Sequence, residues 1–214
     1  MNTQRWGGAA SMVLGIVVVL GPLIYFTNAV RDPLSPFGYA IADLMYGPVL
    51  AASLVGSMSV IKEEIGDKAS RRMAFALIAA SLAALALVTA AIMRSGNRAY
   101  FIRYEQDMGK EEYAAIMRTI LMTVQGTIRT GHHFIGWSLL LMGSASWNSG
   151  LFPRPLIVLA LIAGLLNFFT YLLPEAEELP TVLLTGIWAI WQGVALWRRG
   201  SGSMPELAKD PQTA

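Results

Sequence analysis

The sequence predicts an all-α membrane protein, a bundle of helices that cross the bilayer. Three observations carry this. The 214 residues are 55% hydrophobic and 14% charged, with mean hydropathy +0.51, against about 25% charged residues in soluble domains. Six apolar runs approach the ~20 residues that a hydrocarbon core requires. The polar residues within those runs recur three or four apart, so each set lies along one helix face.

The runs are bounded by Pro, Gly or charge, as helix ends are. They cover about 8–28, 37–61, 72–93, 131–147, 155–173 and 180–197. The first run is longer than a ~7–15-residue signal-peptide core, and no clear small-x-small cleavage site follows it, so it reads as a retained span. Pro48 should kink the second. The third is dense in alanine. Ala76, Ala80 and Ala84 form a small-xxx-small ridge that allows close helix approach and predicts a central position. Between the third and fourth runs, Tyr113, Ile116, Met117, Ile120, Leu121 and Val124 form one apolar stripe on a charged segment. This predicts an amphipathic interfacial helix over about 110–125. The Gly-, Ser- and Pro-containing stretch 201–214 reads as a disordered tail.

Orientation follows from the basic residues. With the N-terminus inside, nine Lys and Arg fall on the cytoplasmic side and seven outside. The short second-to-third loop carries Lys62, Lys68, Arg71 and Arg72, whereas the fifth-to-sixth loop carries only Glu175, Glu177 and Glu178. Short loops dominate the positive-inside bias, so both termini are assigned to the cytoplasm of a multi-pass cell-membrane protein.

Composition excludes several chemistries. There are no cysteines, so disulfides, thiolate catalysis and Cys-type metal sites are ruled out. The only two histidines are adjacent, point ~100° apart on a helix, and cannot clamp one haem iron. No lysine lies within a span to form a retinal Schiff base, and no phosphate-loop, nucleophile-elbow or zincin motif is present. Neither a metal site nor a cofactor is implied. A net charge of +2 without a basic patch gives no reason to expect nucleic acid.

The polar faces are Tyr39, Asp43 and Tyr46; Arg129, His132 and His133; Asn167 and Tyr171; and Thr181, Thr185 and Gln192. In this topology all occupy the outer half of the bundle. Ionisable groups at membrane depth are costly and are kept for a partner or a function. Asp43, Tyr46, Arg129, His132, His133 and Asn167 are therefore the candidate ligand-binding residues, with Asp43 expected to pair with Arg129 or a histidine. A structural role predicts something plainer: one neutralising partner for Asp43, and hydrogen bonds between helices for Asn167 and Thr185. Three functions fit. One is non-covalent binding of a small polar or lipidic ligand or a partner. The second is transport or conduction by an oligomer. The third is a membrane enzyme using Asp43 with His132 or His133.

The C-terminal part contains Trp137-Ser-Leu-Leu-Leu-Met-Gly143, Ser149-Gly-Leu-Phe-Pro-Arg154, the run Leu156 to Gly164, Ile187-Trp-Ala-Ile-Trp-Gln-Gly193 and Leu196-Trp-Arg-Arg199. Over about the last 70 residues these segments resemble bacterial six-helix membrane proteins classed as a domain of unknown function. The resemblance implies six spans and brings no activity, cofactor or catalytic residue.

Overall fold

The computed structural model describes residues 2–31, 36–104, 109–172 and 178–202. Residues 203–214 of the predicted tail and the glutamates 175 and 177 lie outside them. Seven α-helices are present among the described residues: α1 (Thr3–Arg31), α2 (Pro36–Leu44), α3 (Leu50–Ile65), α4 (Ser70–Tyr104), α5 (Lys110–Ser146), α6 (Arg154–Phe168) and α7 (Glu178–Gly200). A π-turn, Met45–Val49, joins α2 to α3 in one rod. Pro48 lies inside it. Proline has no N–H to give the carbonyl four residues back. The turn widens instead, and the Leu50 N–H reaches the Met45 carbonyl.

The resulting six rods form a ring. α1 packs on α7 and on α3, α3 on α4, α4 on α5, α5 on α6, and α6 back on α7. Sequential neighbours run antiparallel. Arg72 meets Ser144 across α4 and α5, for example, and Asn2 meets Gly200 across α1 and α7. Trp188, Leu139, Met58, Leu54 and Met142 fill the interior. α4 buries Ala76, Ala80, Ala83 and Ala90 with Ala84 half-buried, but it takes one place in the ring, between α3 and α5, instead of the central position its alanine ridge predicts.

Among the described residues, four helices are long and apolar enough to cross a membrane: Thr3–Ile24, Ala40–Ile65, Arg71–Asn97 and Leu179–Gly200. α6 has 15 residues and rises ~22 Å, short of a ~30 Å core. The expected boundary between an interfacial helix at 110–125 and a span at 131–147 is not present. Both segments belong to α5, a single helix of 37 residues. The stripe Tyr113, Ile116, Met117 and Ile120 is half-buried and Val124 is buried. α4 likewise continues past its apolar run to Tyr104. The charges that suggest a loop between the third and fourth runs instead decorate two long antiparallel helices.

Glycines set the helix separations. A Cβ added at Gly8 would lie 2.8 Å from the Gly193 carbonyl oxygen, and one at Gly15 would lie 2.7 Å from that of Gly186. Both pairs are seven residues apart, so α1 and α7 share one seam of backbone contact. At the α5–α6 crossing, a Cβ on Gly136 would come within 2.4 Å of the Phe168 amide nitrogen. Gly136→Ala should therefore cost about 2 kcal/mol or more through overpacking. Gly126, with nothing within 4 Å of its Cβ position on the same helix, provides the contrast. Gly126→Ala should gain about 0.5–1 kcal/mol from helix propensity. Thermal unfolding of the two variants in one detergent measures the difference, and equal midpoints would refute the close-crossing account.

Candidate functional site

Polar side chains from the π-turn, α5, α6 and α7 meet near one end of the ring. The chain of contacts begins at Tyr46, whose ring is seated over Gly21 of α1, where a Cβ would lie 2.9 Å from Tyr46 Cδ2. The Tyr46 hydroxyl lies 2.5 Å from His132 Nε2 on α5. The other ring nitrogen of His132, Nδ1, lies 2.8 Å from Asn167 Oδ1 on α6. The Asn167 amide nitrogen donates to the Ala163 carbonyl at 2.8 Å and to Thr185 Oγ1 on α7 at 2.7 Å. Thr185 in turn donates to the Thr181 carbonyl at 2.7 Å.

These contacts fix the hydrogen assignments. Because the Asn167 nitrogen is a donor to two oxygens, its Oδ1 is an acceptor. His132 Nδ1 therefore carries the hydrogen. In the neutral imidazole Nε2 is then an acceptor, and Tyr46 donates to it. All donors along the chain point the same way, from Tyr46 toward α7. His132, Asn167, Thr181 and Thr185 are all buried. One polar atom in this group has no hydrogen-bond partner among the described residues: Thr181 Oγ1, on a residue 1% exposed.

Asp43 lies one turn before Tyr46 and is buried. Its partners differ from the expected ones. Arg94 of α4 forms a salt bridge with Oδ1, to which its Nε also donates, and Ser95 Oγ donates to Oδ2 at 2.5 Å. The hydrogen bonds of the two histidines go elsewhere, from His132 to Tyr46 and Asn167 and from His133 to the Phe168 carbonyl. Arg94 takes the place expected for Arg129 or a histidine because α4 is helical through residue 104. That continuation carries Arg94 to the level of Asp43, instead of releasing it into a loop.

The remaining candidates separate. Arg129 lies half-buried on α5, one turn before the histidines. His133 turns away from His132. Its Nδ1 donates to the Phe168 carbonyl at 2.8 Å, satisfying an oxygen in the last turn of α6. Its ring packs on Phe168 and Tyr171, with centroids at 4.5 and 5.7 Å. Gln192 donates to Ser11 of α1 at 3.0 Å, two turns beyond Thr185 along α7. The side chain of Tyr39 lies outside the described residues.

The structure thus joins Tyr46, His132, Asn167 and Thr185 in one network and leaves Asp43 in a neighbouring ionic cluster. The sequence reading missed Arg94 and Ser95. The available signal was their spacing. Arg94 follows Ala90 and Ala91 of the buried alanine face by three or four residues and continues that face.

Comparisons with protein-family models, with curated proteins and with solved structures found no match to this chain. The resemblance in the C-terminal part gains no support from them, so function must be argued from the geometry.

Breaking one side of a buried ion pair costs about 3–5 kcal/mol, less where the stranded partner keeps some exposure as Arg94 does, whereas replacing both partners by apolar groups is close to neutral. Asp43→Leu should therefore be strongly destabilising and Asp43→Leu with Arg94→Met much less so. A double-mutant cycle on detergent-solubilised protein measures the coupling, and additive losses would reject it.

Proposed function

We propose that this chain is a six-span cell-membrane protein, both termini cytoplasmic, that binds a small polar ligand, a lipid or a partner protein in its outer half without covalent chemistry. The closed ring of six antiparallel rods supports the span count, with α6 and the turn Thr170–Leu172 completing the fifth crossing. The basic loop between the second and third rods supports the orientation. Under this topology, the end of the ring holding Asp43, Tyr46, His132, Asn167 and Thr181 faces outward.

One observation carries the binding reading. Side chains from four elements converge there, and beside the end of the row lies Thr181 Oγ1, a buried hydroxyl with no partner among the described residues. A buried hydroxyl without a hydrogen bond costs about 1–3 kcal/mol. Such a group is a place for a ligand atom or an ordered water.

The enzymatic alternative, Asp43 with His132 or His133, draws less support from the geometry. An acid–base pair must lie within hydrogen-bond reach of a common proton. Both oxygens of Asp43 are engaged by Arg94 and Ser95, and both nitrogens of His132 by Tyr46 and Asn167.

Thr181→Val removes the hydroxyl at nearly constant shape. The ligand reading expects a thermal midpoint in lipid nanodiscs equal to or above that of the native chain. It also expects a co-purifying small molecule, identified by mass spectrometry, to be lost. If the native chain and Thr181→Val carry the same molecules at the same occupancy, the outer site does not bind through this hydroxyl.

A further inference from the structure

From beside His133 toward the opposite end of the ring, α4 and α5 form a groove on the lateral surface of the bundle. Its walls are Phe75, Ile78, Ala79 and Leu82 of α4 with Phe134, Trp137 and Leu141 of α5. The volume is about 330 Å³ and the lining is almost wholly apolar. Phe75, Ile78 and Leu82 are exposed, so the groove opens sideways from the bundle, away from its core.

One end of the groove is basic. Arg71, Phe75, Ile78 and Leu82 are spaced by four, three and four residues, and therefore form one stripe along α4. Arg72 flanks this stripe on the α5 side, where it donates to the Ser144 carbonyl at 3.3 Å. Arg71 and Arg72 are both exposed. Arg71 makes no hydrogen bond or ion pair with any described residue. From Phe75 to Leu82 the stripe rises ~10 Å, so a hydrocarbon chain lying in the groove would have its polar end beside the two guanidinium groups.

We propose that this groove is a binding site for an anionic phospholipid. One acyl chain lies between α4 and α5, and the phosphate is held by Arg71 and Arg72. Charge complementarity selects this occupant. An apolar helix of a second protein copy would leave Arg71 without a counter-charge, whereas a phosphodiester supplies acceptor oxygens in the plane that a guanidinium fits. In the proposed orientation the arginines lie at the cytoplasmic surface, where anionic lipid attracts basic residues by about 1 kcal/mol each. The site rests on the membrane reading of the chain but is independent of the outer polar network.

Native mass spectrometry of the full-length chain, titrated in detergent with dioleoyl phosphatidylglycerol or dioleoyl phosphatidylcholine, tests the site. One phosphatidylglycerol should be retained with about tenfold preference, and Arg71→Gln alone should remove most of it. Leu82→Trp fills the groove from its exposed side and should weaken both lipids, while inorganic phosphate at millimolar concentration should not compete. Equal retention of the two lipids overturns the proposal. So does an unchanged preference in Arg71→Gln, or displacement of the lipid by phosphate alone. Thr181→Val should leave this preference untouched, which separates a failure here from a failure of the outer site.

Discussion

The imidazole of His132 holds three rods in register. Its two ring nitrogens face opposite elements, the π-turn through Tyr46 and α6 through Asn167, and Asn167 extends the link to α7. In hydrocarbon no water replaces a missing partner, so each of these groups must be satisfied by another part of the chain. The local backbone follows from that demand. Gly136 lies one turn after His132, and its missing side chain lets α5 approach α6 until a Cβ would meet the Phe168 amide. Only at that separation can His132 reach Asn167 and His133 reach the Phe168 carbonyl, both at 2.8 Å. Gly21 gives the Tyr46 ring its seat in the same way. The π-turn around Pro48 sets the direction in which Tyr46 leaves its rod.

Packing and polarity divide the work. Lipid tails are as apolar as leucine, so helices in a bilayer gain little by burying leucine against leucine and must gain by close approach. The Gly8–Gly193 and Gly15–Gly186 contacts supply that approach along α1 and α7, and the alanine face of α4 supplies it between α3 and α5. Hydrogen bonds between membrane helices contribute only about 0.6–2 kcal/mol each. Their role here is register. A slide of one residue along α6 would carry Asn167 away from both His132 and Thr185, while the apolar contacts would lose little. The Asp43–Arg94 pair has the same character, because a buried ion pair adds little stability over apolar side chains of the same volume yet tolerates no alternative partner.

Much of this was legible in the sequence, for identifiable reasons. Periodicity of three and four placed Asp43 with Tyr46 on one face, and Thr181 with Thr185 on another, because helix geometry alone decides such neighbours. The expectation that Asn167 and Thr185 bond between helices follows from the cost of a bare amide in hydrocarbon. The lengths of α4 and α5 were not legible. Arg94, Arg98, Lys110 and Arg118 interrupt hydropathy and mimic a loop, yet a helix leaving the bilayer needs no apolar surface on its wet side. That error hid Arg94, the partner of Asp43. The α1–α7 seam was also missed, since glycines seven apart are unremarkable until a second helix with the same spacing is seen to face them.

The direction of the hydrogen bonds limits what the network can do. Tyr46 donates to His132, His132 to Asn167, Asn167 to Thr185, and Thr185 to the Thr181 carbonyl. Moving a proton along such a row requires every member to accept on one atom and release from another without leaving its stable form. Tyrosine, histidine and threonine can do this. The Asn167 amide cannot, because releasing a proton from nitrogen after gaining one on oxygen produces the unstable imidic acid. The row also ends on a backbone carbonyl, which has no proton to pass on. The network therefore orients groups and does not conduct. Its unused capacity lies beside its terminus, at Thr181 Oγ1, where a hydroxyl can both donate and accept. Recognition of a polar atom at that point needs no change elsewhere in the row, whereas acid–base chemistry would require His132 to give up one of the two bonds that hold the rods together.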